Sequence, residues 1–236
     1  MTRKVVEKER KRGPMNVFSI IGPVMIGPSS SHTAGACRIG RIVYLMTHGT
    51  PLKKVTIELS GSFAHTYQGH GTDKAIMAGL MGYQTDSIEI RDALNIARDR
   101  GIDFTFVPTH IPDSHPNTAR ITYELENGEK GSLMGASIGG GNIRVEAVNG
   151  MRVNLTGERT TVMVLHNDVP GVIADVTSMI SEKYSQLNIC NFTLGRQEKG
   201  GLALMTMEFD NPCPDSLKED IEQVDEVVNT VVFPAI

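Results

Sequence analysis

The segment Gly27-Pro28-Ser29-Ser30-Ser31-His32-Thr33-Ala34-Gly35 is the most chemically loaded stretch of this 236-residue chain. Two glycines and a proline define a loop, and an apolar-periodic helix pattern begins directly after it. Free backbone N–H groups at a helix start favour an anion such as a carboxylate or a phosphate. Ser29, Ser30, Ser31 and Thr33 add hydroxyl donors. His32 among them can titrate near neutrality and move a proton. An ordinary Ser-rich cap beside a solvated His would explain a lone Ser-Ser, but it does not explain this density of donors around one imidazole.

Three further stretches carry polar chemistry. Gly61-Ser62-Phe63-Ala64-His65-Thr66 runs into Gly69-His70-Gly71-Thr72-Asp73-Lys74. It reads as a strand end, a ligand-facing loop, and a helix opened by Thr72 or Asp73. Capping accounts for Thr72 and Asp73 but not for His65, His70 and the glycines around them. His115-Pro116-Asn117-Thr118 reads equally as a turn before a strand or as part of a ligand site, with Asn117 as its polar group. Ser137-Ile138-Gly139-Gly140-Gly141-Asn142 reads as a bulge or a close backbone approach. It is no dinucleotide fingerprint, since it lacks the G-x-G-x-x-G spacing and a strand follows it.

The elements that must position these groups fall into two parts. Residues 15–156 read as an α+β unit of mixed sheet with helices. Its pattern gives a helix over Ala34–Met46, a strand over Lys54–Ser60, helices over Thr72–Leu80 and Ile90–Arg98, and a short strand over Phe104–Val107. Hairpin strands then turn at Asn127-Gly128 and Asn149-Gly150. Gly157–Arg159 reads as a linker. Residues 160–236 follow the order βαββαβ, the ferredoxin-like split arrangement. Within it a helix over Pro170–Glu182 is expected, capped by Asp168. Residues 1–14 read as a basic N-terminal extension. A secretory leader is disfavoured, because Glu7 and Glu9 interrupt its basic region and Gly22-Pro23 and Gly27-Pro28 break its apolar one.

Composition excludes several classes. Charged residues make up 21% of the chain and the net charge is -4, which argues against a general nucleic-acid binder. No apolar run is long enough to span a bilayer. Cys37, Cys190 and Cys213 are odd in number and widely spaced, so they are no disulfide framework, and a reducing cytoplasm is expected. No C-x-x-C exists, so no metal or cluster site is expected from local ligands.

The stretches "IGPVMIGPSSSHTAGACRIGR", "GSFAHTYQGHGTDKAIMAGLMG", "HPNTARI" and "SIGGGNIRVEAVNG" resemble the β chain of iron–sulfur-dependent L-serine dehydratases. The segment "VMVLHNDVPGVIADVTSMI" resembles an ACT domain, and the first part is also similar to the anion-binding regulatory domain of some phosphoglycerate dehydrogenases. The resemblance implies a partner α chain whose cysteines hold a [4Fe–4S] cluster, L-serine as substrate, and pyruvate and ammonia as products. It implies an ACT ligand edge at Asn167, Asp168, Pro170, Gly171 and Val172 for an amino-acid or ion effector, and self-association through ACT domains. With that activity, His32 is the expected base for the α-proton, and Ser29, Ser30, Ser31 and Thr33 the carboxylate donors. His65, His70, Thr72, Asp73 and Asn117 are expected around the same pocket. The alternative is a purely regulatory anion- and amino-acid-binding module serving a separate catalytic partner. A stand-alone dehydrogenase fails for want of a dinucleotide fingerprint.

Overall fold

A computed structural model describes residues 24–236; the expected N-terminal extension and leader lie outside the described residues. The first element among the described residues is a π-helical turn, Ser30–Gly35, which runs into α1 (Ala36–Met46). Ile39, Ile42 and Val43 recur at helical spacing and are buried. β1 (Leu52–Gly61) follows, with Val55, Ile57 and Leu59 inward.

Residues 62–70, expected as a loop, form α2 (Ser62–His70). Gly61 sits at φ 60°, ψ -126°, a conformation side-chain-bearing residues avoid, and this lets the strand turn directly into a helix. Its only fully buried side chain is Phe63, so no apolar stripe marks the helix in the sequence. Gly71, in the left-handed region, separates it from α3 (Thr72–Leu80). A Cβ on Gly79 would lie 2.0 Å from Cys37 O, so α1 and α3 meet backbone to backbone there.

The helix expected over Ile90–Arg98 is split into a 3₁₀ turn, Ile88–Asp92, and α4 (Ala93–Asp99). β2 (Asp103–Thr109) then pairs parallel with β1, which is why three helices form the crossover between them. β3 (Asn117–Leu125), β4 (Lys130–Gly139), β5 (Asn142–Val148) and β6 (Met151–Leu155) complete a six-stranded sheet in the order β2-β1-β3-β4-β5-β6. Asn149 and Gly150, at φ 50° and 76°, make a two-residue turn with both central residues at positive φ. Asn127-Gly128 lies in a longer loop between Leu125 and Lys130.

The second part has β7 (Thr160–Asn167), α5 (Val172–Lys183), β8 (Ile189–Arg196), β9 (Leu202–Phe209), α6 (Ser216–Glu222) and β10 (Val227–Phe233). Its antiparallel sheet runs β10-β7-β9-β8, as the βαββαβ order requires. α5 begins at Val172 rather than Pro170, and its N-cap is Gly171 with no side-chain cap bond, so Asp168 does not cap it. The helix-side face of this sheet builds one core with Val172, Val176, Leu217 and Ile221. Its other face adds Met163, Leu204 and Phe233 to the core of the first part. Among the described residues no helix is long and apolar enough to cross a membrane.

Candidate functional site

The four polar stretches meet at one end of the six-stranded sheet. β1 ends at Gly61 opposite Asn117, where β3 begins, and Thr118 pairs with Ala136 near the end of β4. The π-turn lies against that end of β4, since a Cβ on Gly35 would fall 2.1 Å from Ser137 Oγ. π-turns inside helices concentrate at functional sites because they push backbone groups out of register.

His32 stands at the centre. Its Nε2 lies 2.9 Å from Ser62 Oγ, and its Nδ1 lies 3.4 Å from Ser29 Oγ. The Ser29 hydroxyl also accepts the His32 N–H at 3.2 Å, so Ser29 is the cap of the turn. The imidazole meets Phe63 edge-on at 5.4 Å between ring centres and His70 at 4.7 Å. Burial, with the charge of His70 as a second cause, lowers the His32 pKa from its ordinary value.

In the four stretches several buried polar atoms have no hydrogen-bond partner. Of seven such side-chain atoms among the described residues, five are His70 Nδ1, Thr72 Oγ1, Asn117 Oδ1, Thr118 Oγ1 and Ser137 Oγ, all in these four stretches or at their edges. A buried group left unpaired costs about 1–3 kcal/mol, and four of the five, Thr118 excepted, belong to the side of the sheet that carries His32. Asn117 Nδ2 donates to Ser137 O at 3.4 Å, which leaves its carbonyl oxygen free.

The other expected residues are placed as follows. Ser30 and Ser31 are half-buried in the turn. Thr33 is buried, and its hydroxyl donates to His70 O at 3.2 Å, so its one proton is used inside the protein. Asp73 is buried at the start of α3 and accepts the Lys74 N–H at 2.8 Å; burial raises its pKa. His65 is exposed on α2 and makes no hydrogen bond to the described residues. Sequence reasoning did not single out Ser62 or Phe63. The available signal was their position just after a strand-ending glycine, where an α/β layer exposes side chains to a ligand.

In the second part, Asp168 Oδ2 accepts from Arg196 at 2.6 Å and from the Gly200 N–H at 3.0 Å. The Gly200 hydrogen bond, then Arg196, holds its carboxyl below the usual carboxylate range. Asn167 donates to Glu226 Oε2 at 2.8 Å, Pro170 and Gly171 are exposed, and Val172 is a core residue.

Among the described residues no group of three or more His, Cys, Asp or Glu is gathered as a metal site. Cys37 is buried, its thiol donates to Tyr83 O, and burial pushes its pKa up to about 12. A thiol held protonated is a poor ligand. The described residues therefore do not fit an iron–sulfur cluster.

A loop-built polar site on a mixed sheet, joined to a βαββαβ unit, defines a two-part protein with an ACT-type second half. A family model described as "AHAS small subunit-like ACT domain" matches residues 162–232, and one described as "Serine dehydratase beta chain" matches residues 16–100. The chain is 43% identical to the "Probable L-serine dehydratase, beta chain" of Bacillus subtilis over 90% of this chain and 95% of that one. It is 35% identical to the "L-serine dehydratase, beta chain" of Peptoniphilus asaccharolyticus over 87% of this chain and 92% of that one. It is also 25% identical to the D-3-phosphoglycerate dehydrogenase of Bacillus subtilis over 76% of this chain and 34% of that one. The chain belongs to the L-serine dehydratase β-chain family.

Proposed function

We propose that this chain is the subunit that binds L-serine and handles its α-proton in an L-serine dehydratase completed by an α chain bearing a [4Fe–4S] cluster. Together they yield pyruvate and ammonia in the cytoplasm. Residues 15–156 form the substrate-binding domain and residues 160–236 the ACT domain. The observation that carries this reading is the set of unpaired buried polar atoms on the same side of the sheet as a desolvated His32. A pure anion sensor needs the hydroxyl donors but has no use for an imidazole kept neutral.

Loss of hydroxide from the β-carbon needs a Lewis acid, which is the chemistry a partner-held cluster supplies. This chain's own residues do the rest. Ser30, Ser31 and the N–H groups of the turn hold the substrate carboxylate. One nitrogen of His32 accepts the α-proton while a serine hydroxyl, Ser62 or Ser29, holds the other. Thr33 fixes the His70 backbone beside that ring. Asn117 Oδ1 is an acceptor suited to the substrate ammonium, and Thr72 and Asp73 at the start of α3 complete the set of substrate-binding residues. The aminoacrylate released tautomerises and hydrolyses without further help. Asn167, Asp168, Pro170, Gly171 and Val172 form the edge for an amino-acid or cation effector, in an ACT domain that also mediates self-association.

The test is a steady-state comparison of two variants in the reconstituted α–β complex. His32→Asn cannot accept a proton near neutrality, so turnover should fall by about 10²–10⁴-fold with serine binding little changed. Ser31→Ala should mainly weaken binding. A free imidazole is the active form, and its pKa is lowered in the fold. Turnover should therefore persist below pH ~6.5 and fall as pH drops through the lowered value. Near-normal turnover in His32→Asn, with only a higher serine requirement, would make His32 a binding residue and send the search for the base to His70 or the partner.

A further inference from the structure

Beside the Thr33–His70 contact lies a cavity of about 460 Å³, bounded by the Ile26–Pro28 segment, the Gly69–Gly71 loop, the first turn of α3 and the 3₁₀ turn Ile88–Asp92. It shares Thr33 and His70 with the site above, but His32, Ser62 and Asn117 do not line it. Its charge is one-sided. Lys74 and Arg91 line it, and none of its lining residues is acidic.

Neither cation is in an ion pair with another described residue. Of the carboxylates adjacent in sequence, Asp73 accepts the Lys74 N–H and Asp92 accepts from Asn95 at 2.6 Å. The loop leaves room, since a Cβ at Gly69 or Gly71 would meet nothing within 4 Å. Ile26 and Pro28 supply an apolar wall.

An ammonium and a guanidinium around one cavity favour an anion, and a guanidinium presents its donors in the fork that a carboxylate matches. The apolar wall favours a carbon tail on that anion. We propose that this cavity binds a small organic carboxylate, seated between Lys74 and Arg91, as a site separate from the His32 cluster. Its occupant would press on the wall that carries Thr33 and His70. An effect on turnover rests on the reading of the His32 cluster as the reacting site; the binding itself does not.

The test is titration calorimetry on the full chain at low salt, with propionate, propionamide and inorganic phosphate as probes. Propionate should bind and propionamide should not. Lys74→Gln and Arg91→Gln should each weaken propionate by about tenfold or more, the worth of one charge-assisted hydrogen bond. Both residues are on the surface, and circular dichroism checks that each variant is folded. His32→Asn should leave propionate binding unchanged. No propionate binding at millimolar concentration, or equal binding to both cation variants, overturns the proposal. Tighter binding of phosphate with the same dependence on Lys74 and Arg91 overturns the organic-carboxylate assignment. Loss of propionate in His32→Asn but not in the cation variants places the anion at the His32 cluster, which sinks the second site and leaves the proposed function standing.

Discussion

The two halves of the chain each present a polar edge, and the edges are paired to different degrees. On the side of the sheet that carries His32, the Ser137 and Thr72 hydroxyls are fully buried and have no partner. Around Asp168, the carboxylate already holds Arg196 and the Gly200 N–H, and Asn167 already holds Glu226, while the buried His166 Nε2 beside them is unpaired. Unpaired buried groups are an unfavourable debt that a ligand can cancel, whereas a ligand at a satisfied edge must displace a partner first. A ligand at the first edge would gain hydrogen bonds without breaking any, and one at Asp168 would have to displace Arg196 or the Gly200 N–H.

The largest expected effect that tests this contrast is at Phe63, fully buried and edge-on to His32. Phe63→Ala should cost about 3–5 kcal/mol of stability and abolish turnover even where the chain remains folded. Urea unfolding and activity report the two separately. Retained turnover would show that the His32 ring needs no packed support, and the contrast would weaken.

Next is Gly171, at φ 107°. A Cβ there would meet only Asp175 Oδ2, at 3.5 Å, so the cost of Gly171→Ala is backbone strain rather than crowding. About 1–3 kcal/mol should be lost from the second half, with serine binding in the first half unchanged. Loss of serine binding instead would mean that the two edges are not independent.

Smaller still is Thr33→Val, which removes the hydroxyl that donates to His70 O. It should cost about 0.5–1.5 kcal/mol by urea unfolding and lower turnover more than it raises the serine requirement. An unchanged turnover would remove Thr33 from the positioning of His70.

The smallest effect is confined to acid. The folded pKa of Asp168 is depressed by the Gly200 N–H and Arg196. Its contribution to stability is thus present above the unfolded value of ~3.9 and lost as pH falls through the folded one. Arg196→Ala should flatten that part of the stability profile and leave neutral pH almost untouched. A large loss at neutral pH would show that the pair does more than satisfy Asp168.

Much of this was legible in the residue pattern where one periodicity dominated. Thr72–Leu80 is apolar enough along its length to read as a helix, and β1 alternates cleanly. The βαββαβ order followed from the same logic. Ser62–His70 did not read as a helix, because Phe63 is its one buried side chain and Gly69 lies near its end. Asp168 misled in another way. Acidic residues before a Pro commonly cap helices, but Gly171 turns the chain and leaves Asp168 facing β8 and the Gly200 turn. In the site, the family resemblance put three of the four polar stretches around one pocket, but the residue pattern alone did not, and the stretch at Ser137 was not among them. The meeting of all four depends on the register of β3 against β1 and β4, which pairs residues far apart in the chain. Ser62 was invisible for the same reason, since its importance lies wholly in its 2.9 Å approach to a histidine thirty residues earlier.

The shared core has a consequence for synthesis. Phe233 of the last strand packs into the same core as Ile57 and Val145, and the Ile236 N–H closes onto Gly157 O. The half that bears His32 leaves the ribosome first, yet part of its apolar surface has no cover until β10 has been made. Domains usually fold in order as they emerge; here the first is expected to wait for the end of the second. Ribosome-held chains stopped before residue 227 should be cut by protease within residues 36–155, and resistance there would show that the first half closes unaided.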